Sequence, residues 1–186
     1  MDNELSDKNS NQAEIEELKK NIFSDDWELV KSSSDRLGKI GGTEAVDFLI
    51  PLLGLDNPGI RNSAALALSD IGDNRALDPL LSAIFKKENH NHNQTLVYAL
   101  ETLDCSEKLV EIFTILFYES YVGKISACNI LNEQIFLFTE QDLLNIEMMW
   151  EDLKKHPEKG IPMNGETMAD IQKLVDGYLS YLKPKE

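Results

Sequence analysis

Apolar residues recur along most of the chain at intervals of three and four residues, the spacing of one face of an α-helix. Two neighbouring segments, residues 64–71 and 76–84, show this spacing clearly. Their apolar residues are Ala64, Ala65, Leu68 and Ile71, then Ala76, Leu77, Leu80, Leu81 and Ile84. No window alternates between apolar and polar residues for long enough to predict a strand. The pattern therefore predicts an all-α protein.

The same helix pattern returns at a fixed distance along the chain. A shift of 31 residues places residues 37–41 on residues 68–72, and shifts of 32 and then 31 give a third and a fourth copy. Each copy contains two predicted helices, which together cannot bury their apolar faces. Stacking of neighbouring pairs would bury them in one continuous core. We therefore predict an α-solenoid of about four helix pairs with helical caps.

Glycines and capping residues predict where the helices end and begin. Gly41 and Gly72 follow the first helices of the first two copies, in the position that glycine favours after a helix. Asp73 comes next and can cap the second helix. Two further predicted helix starts are Asp25 with Glu28, and Thr139 with Asp142. These signals give structural roles to Gly41, Gly72 and Asp73.

The domain organisation follows from these boundaries. Residues 1–11 are predicted to be a disordered tail, and residues 12–186 a single repeat domain. Within that domain, we assign residues 12–24 to a capping helix and residues 25–153 to the four helix pairs. A loop rich in Pro and Gly follows at 154–165, and an amphipathic C-terminal helix at 166–182.

The second copy, residues 56–81, carries a specific motif. It contains an aspartate, a hydrophobe followed by Arg61, an Ala/Leu helix, Ile-Gly-Asp, Arg-Ala and Pro-Leu. This motif resembles the HEAT-like repeats of the phycobilisome-lyase type. The other copies place Val30, Asn93 and Lys124 where the second has Arg61, which we call the arginine position. The resemblance implies that Arg61 pairs with an acidic neighbour, either Asp56 or a carboxylate of the next copy.

The resemblance also implies that the second helices line a concave surface. The residues predicted to bind a partner there are all acidic: Glu44, Asp47, Asp78, Glu107, Glu111 and Asp142. Arg75 is an exception on the same face. Aromatic residues crowd the last two copies and would form a second partner site where they are exposed. They are Phe113, Phe117, Tyr118, Tyr121, Phe136, Phe138 and Trp150.

Charge narrows the choice of partner. The 33 acidic and 18 basic residues give a net charge of −15, whereas nucleic acids and anionic membranes require a basic surface. We therefore expect a protein partner with a basic surface, no nucleic acid and no membrane. The chain has no visible signal peptide, and its two cysteines show no CxxC spacing. These features favour a cytoplasmic location.

Candidate catalytic chemistry is sparse. His90 and His92 could share a metal ion, but no third ligand is placed by the sequence, so a polar turn is the preferred interpretation. Cys128 lies on an apolar helix face and is expected to be buried, whereas Cys105 ends a helix and is expected to be more exposed. No catalytic triad or phosphate-binding loop is present. We predict a protein that is not an enzyme and has no cofactor or metal.

Together these features predict a non-enzymatic scaffold or adaptor that binds a protein through a mostly acidic concave groove. Two alternatives remain open: an immunity-type inhibitor of a toxin, and a bilin lyase-like subunit that handles a chromophore. A HEAT-like DNA-base glycosylase is disfavoured, because its groove would have to be basic to hold phosphates.

Overall fold

The computed structural model describes residues 2–90, 92–160 and 165–182, with only the backbone described for residues 2–11 and 166. The ten α-helices in these ranges are α1 (Asp2–Asn21), α2 (Trp27–Ile40), α3 (Gly42–Leu52), α4 (Pro58–Ile71), α5 (Leu77–Ile84), α6 (Gln94–Tyr98), α7 (Leu109–Tyr118), α8 (Tyr121–Glu133), α9 (Glu140–Lys155) and α10 (Gly165–Leu179). Short 3-10 turns at Asn74–Ala76 and Ala99–Thr102 precede α5 and extend α6. The described ranges contain no strand, so the prediction of an all-α protein is confirmed.

The helices form four pairs, α2/α3, α4/α5, α6/α7 and α8/α9. The first helices of successive pairs pack against one another, α2 on α4, α4 on α6 and α6 on α8, and α7 packs on α9. One continuous apolar core runs through all four pairs. At the two ends, α1 packs on α2 and α10 packs on α9. The predicted α-solenoid is confirmed.

The structure differs from the sequence prediction at the first two helices. Helix α1 begins at Asp2, so the backbone of residues 2–11 is helical where a disordered tail was predicted. This segment contains no Pro or Gly that would interrupt the helix. Helix α2 is capped by Asp26 rather than Asp25, and the Asp26 carboxylate accepts a hydrogen bond of 3.0 Å from the Glu28 N–H.

The other predicted helix ends can be located directly. Gly41 and Gly72 end α2 and α4 with φ of 63° and 68°, a backbone region that favours glycine. Asp73 accepts a hydrogen bond of 3.0 Å from the Arg75 N–H at the start of the next turn. Thr139 and Asp142 form the predicted capping box at the start of α9, which is confirmed. Of the predicted loop at 154–165, residues 161–164 lie outside the described residues.

Close contact between the first two pairs depends on small residues. A Cβ atom added to Gly38 on α2 would lie 3.2 Å from both the Cα and the carbonyl oxygen of Ala67 on α4. Any larger side chain at position 38 would push the two helices apart. Gly38 therefore sets the distance at which the first helices stack.

Leu68 on α4 is fully buried in the core that the stacked pairs share, so its side chain should contribute to the stability of the protein. We expect Leu68→Ala to lower the free energy of unfolding by roughly 2–5 kcal/mol, because the lost methyl groups leave a cavity between stacked pairs. Urea denaturation followed by circular dichroism measures this change. Leu66→Ala is the matched control, since Leu66 lies exposed on the same helix and should change stability by about 0.5 kcal/mol or less. Equal effects of the two substitutions would contradict the assigned packing.

Candidate functional site

The six predicted binding residues lie at the start of successive second helices. Glu44 and Asp47 belong to α3, and Asp78 belongs to α5. Glu107 precedes α7, which carries Glu111, and Asp142 lies in the first turn of α9. The residues therefore follow one edge of the solenoid, where the two helices of each pair are joined.

Half of these carboxylates already have basic partners within the protein. Each basic side chain comes from a neighbouring helix pair or from α1, so the ion pairs form a ladder along the solenoid. The pairs are Glu44 with Lys19 at 2.6 Å, Asp47 with Arg75 at 2.8 Å, and Asp78 with Lys108 at 2.8 Å. The hydrogen bond that Lys108 donates to the Asp78 carboxylate raises the pKa of Lys108. These three acidic residues connect repeats, which reduces their free charge toward a partner.

The other three acidic residues come together at the junction of the third and fourth pairs. Glu107, Glu111 and Asp142 line one small cavity of about 170 Å³, together with Val110 and Leu137. We call these five residues the acidic pocket. Within the described chain, neither Glu107 nor Glu111 takes part in an ion pair. Lys108, which pairs with Asp78, is the nearby basic group, and the charges of Glu107 and Glu111 help to raise its pKa. The acidic pocket therefore has two carboxylates without a direct ion pair.

Asp142 has a second role in the acidic pocket. Its carboxylate accepts hydrogen bonds of 2.8 Å from both the backbone N–H and the hydroxyl group of Thr139. These bonds belong to the capping box of α9 and hold the carboxylate in one orientation. Asp142 therefore contributes charge to the pocket from a fixed position.

Beside the acidic pocket, the segment between α8 and α9 presents apolar side chains to solvent. Ile135 is 88% exposed and Leu137 is 66% exposed. The segment is anchored on the third repeat: the Leu137 N–H donates to the Ser106 carbonyl oxygen at 2.8 Å, and the Gln134 side chain bonds the backbone there. We call residues 134–138 the apolar loop. Its anchoring holds two large apolar side chains in water, where a partner can bury them.

On its other side, the apolar loop borders an aromatic groove of about 470 Å³ against α10. Tyr178 donates a hydrogen bond of 3.2 Å to the Leu131 carbonyl oxygen, and the rings of Phe138 and Tyr181 are 5.4 Å apart. Tyr181 is 69% exposed. The groove continues the apolar loop toward the C-terminal helix.

Most of the aromatic residues that we considered for partner binding belong to the core. Those that are buried are Phe113, Phe117, Phe136 and Trp150. Tyr118 and Phe138 are half-buried, and Tyr121 is exposed on α8. The sequence analysis overlooked Ile135, Leu137 and Tyr181. The loss of the repeat pattern after the third copy is the signal that could have drawn attention to them.

Arg61 does not form the ion pair that the resemblance implied. Its Nη1 donates a hydrogen bond of 3.2 Å to the Leu55 carbonyl oxygen, in the turn after α3. Asp56 instead pairs with Lys86 at 3.3 Å. In the ranges that the structure describes, Arg61 has no ion pair, and its Nε has no hydrogen-bond partner. Arg61 therefore forms no direct ion pair with Asp56. Burial lowers the pKa of Arg61, and the Asp56 carboxylate, which acts on it at longer range, raises this pKa by a smaller amount.

In the next two repeats, the side chain at the arginine position also donates to backbone carbonyl oxygens, there at the end of the preceding helix. Asn93 donates a hydrogen bond of 3.0 Å to the carbonyl oxygen of Ile84, the last residue of α5. Lys124 donates to the carbonyl oxygens of Leu116 and Phe117, in the last turn of α7. Because carbonyl groups at a helix C-terminus lack partners within the helix, these side chains cap the preceding second helix.

Burial lowers the pKa of Lys124 to about 8, because the surroundings disfavour the charged ammonium group. The folded chain releases this proton near pH 8, whereas the unfolded chain keeps it until about pH 10.5. Unfolding therefore takes up a proton between these two values, and the contribution of Lys124 to stability rises with pH across this range.

Comparison with Lys124→Met should isolate this effect. We expect the free energy of unfolding of the wild type, relative to that of the variant, to increase by about 2–3 kcal/mol from pH 7 to pH 10. Urea denaturation at both pH values measures it. Lys108→Met is the control, because the raised pKa of Lys108 predicts no gain in its contribution to stability between pH 7 and pH 10. A difference that stays constant or falls with pH would contradict the assignment.

The remaining candidates for chemistry lie apart from the acidic pocket. His90 Nδ1 is 3.4 Å from a carboxylate oxygen of Glu119, and His92 lies on a different cavity. Cys105 is fully buried, so its predicted exposure is wrong, and burial raises the pKa of its thiol to about 12. Cys128, expected to be buried, is half-buried. No group of three His, Cys, Asp or Glu residues in the described chain is placed to hold a metal ion.

The comparison with protein families agrees with the repeat architecture. The family model described as HEAT repeats matches residues 13–112. No curated protein matches the chain. Among solved structures, the crystal structure of an engineered protein from the Northeast Structural Genomics Consortium is 16% identical, with a TM-score of 0.47. The match covers 90% of this chain and 47% of the engineered chain, so this chain spans about half of that protein's length. Within the described residues, no helix is both long and apolar enough to cross a membrane.

Proposed function

Since the chain belongs to the HEAT repeat family, we propose that it is a non-enzymatic scaffold that binds a basic partner protein. HEAT repeats generally serve as protein-interaction scaffolds. Stacked repeats form a stiff surface that is already shaped before a partner arrives, which limits the entropy lost on binding. The family thus supports a binding role, and the site chemistry supports the choice of partner.

The observation that carries this proposal is the position of the acidic pocket beside the apolar loop. Glu107 and Glu111 offer carboxylates that have no direct ion pair, and Ile135 and Leu137 offer apolar surface next to them. A lysine or arginine followed by an apolar side chain would satisfy both features. Electrostatic attraction would speed the encounter, and burial of the apolar side chains would slow dissociation.

The three paired carboxylates would extend this site along the solenoid. Glu44, Asp47 and Asp78 lie on the same edge, but their basic partners would have to be displaced before a ligand could use them. We therefore assign them a smaller share of the binding energy than Glu107 and Glu111. The proposed acidic surface has its strongest part at the third and fourth pairs.

Charge reversal tests the proposal directly. The partner is first captured from a lysate of the source organism and identified, and its dissociation constant is then measured by calorimetry at two salt concentrations. We expect Glu107→Lys with Glu111→Lys to weaken binding at least tenfold, because like charges then meet in the interface. Raising the salt concentration should weaken binding of the wild type more than that of the variant.

The matched control reverses two exposed glutamates outside the acidic pocket, Glu17→Lys and Glu147→Lys. It changes the net charge equally, so an effect of overall charge would appear in both variants. Equal loss in the two variants, or none in either, would overturn the assigned site. Capture of a basic toxin would specify the inhibitor form. Visible absorbance after incubation with a bilin, with no protein captured, would favour the chromophore-handling alternative and the phycobilisome-lyase subtype.

A further inference from the structure

A second cavity, of about 620 Å³, lies at the opposite ends of the second helices from the acidic pocket. It separates the turn after α3 from the turn after α5, and Arg61, Asn62 and Glu88 line it. Its other polar lining residues are Asp56, Asn89, His92, Gln94 and Thr95. The cavity thus combines a buried cation with several neutral hydrogen-bonding groups and with the exposed carboxylates of Asp56 and Glu88 at its rim.

Two side chains of this cavity have polar atoms without partners. Arg61 is only 5% exposed, and its Nε is buried with no hydrogen-bond partner. The neighbouring Asn62 has a buried Oδ1 atom with no partner. Burial also lowers the pKa of Arg61. The Asp56 carboxylate acts on Arg61 only from beyond ion-pair distance. A buried guanidinium group without a direct ion pair is unusual, because charged groups inside proteins are normally paired.

The next repeat shows what this site lacks. A shift of 32 residues places Arg61 on Asn93, and a shift of 31 places Glu88 on Glu119. Asn93 donates a hydrogen bond of 2.9 Å to the buried carboxylate of Glu119. At the corresponding place one repeat earlier, Glu88 is exposed and forms no ion pair with Arg61 in the described chain. The carboxylate position beside Arg61 is thus not filled by its equivalent residue.

We propose that this cavity binds a carboxylate that lies next to an N–H donor, as in a free amino acid or at the C-terminus of a peptide. The ligand carboxylate would pair with the guanidinium group of Arg61, in the role that Glu119 has beside Asn93. The ligand N–H would donate to Asn62 Oδ1. The exposed carboxylates of Asp56 and Glu88 at the rim disfavour a multiply charged anion such as phosphate.

Nuclear magnetic resonance with the full chain tests this site, because backbone amide shifts locate weak binding. The probes are N-acetyl-trialanine with a free carboxylate, the same peptide with a C-terminal amide, and L-alanine. We expect the free-carboxylate peptide or L-alanine to shift the amides of Asn62, Gln94 and Thr95 saturably. The amidated peptide should bind at least tenfold more weakly. Saturation by L-alanine identifies a free amino acid as the ligand. Saturation by the peptide alone identifies the C-terminus of a chain as the ligand.

Substitutions distinguish a ligand-binding role of Arg61 from a purely structural one. Arg61→Lys retains a donor for the Leu55 carbonyl oxygen but loses the planar fork, so we expect at least tenfold weaker binding in a folded protein. Lys124→Met is the matched control, because it removes the basic residue from the corresponding position outside this cavity. The Glu107→Lys/Glu111→Lys variant should bind the probe normally. Absence of shifts, equal shifts with the amidated peptide, or unchanged binding by Arg61→Lys would overturn the proposal.

Discussion

Each helix pair of this chain has apolar surface on two sides, and only neighbouring pairs can cover it. The consequence is visible in two rows of buried residues at repeat spacing. One row, on the first helices and their extensions, is Leu37, Leu68, Leu100 and Leu131. The other, on the second helices, is Leu49, Leu80, Ile112 and Leu143. Because burial of apolar surface is the main favourable term in folding, this stacking holds the solenoid together and positions every surface described above.

Hydrogen bonds and ion pairs between neighbouring repeats recur along the stacked helices. Side chains at the arginine position donate to carbonyl groups at the end of the preceding second helix or in the turn after it. Ion pairs such as Asp47–Arg75 join the starts of successive second helices. The two edges of the solenoid therefore differ in chemistry. The edge with the ion-pair ladder ends in the acidic pocket, and the opposite edge contains the cavity beside Arg61.

Departures from the repeat create both proposed sites. In the fourth pair the connection between helices becomes the apolar loop, which the third repeat anchors while Ile135 remains in solvent. In the turn before the third pair, Glu88 stays outside where Glu119 is buried one repeat later. A regular array would fill these places with its own side chains. Each departure instead leaves charge or apolar surface that a ligand can satisfy.

Much of this architecture could be predicted from the amino-acid sequence. Helical periodicity, the repeat spacing and the capping box at Thr139 are local signals, because each depends on residues within a turn or two of helix. The tertiary structure alone decided which carboxylates are paired, why Arg61 lacks its expected partner, and that Ile135 and Leu137 are exposed. These properties depend on which side chains of different repeats meet. Spacing along the chain specifies the stacking of helices, but not the small differences in turns that decide which polar atoms come within bonding distance.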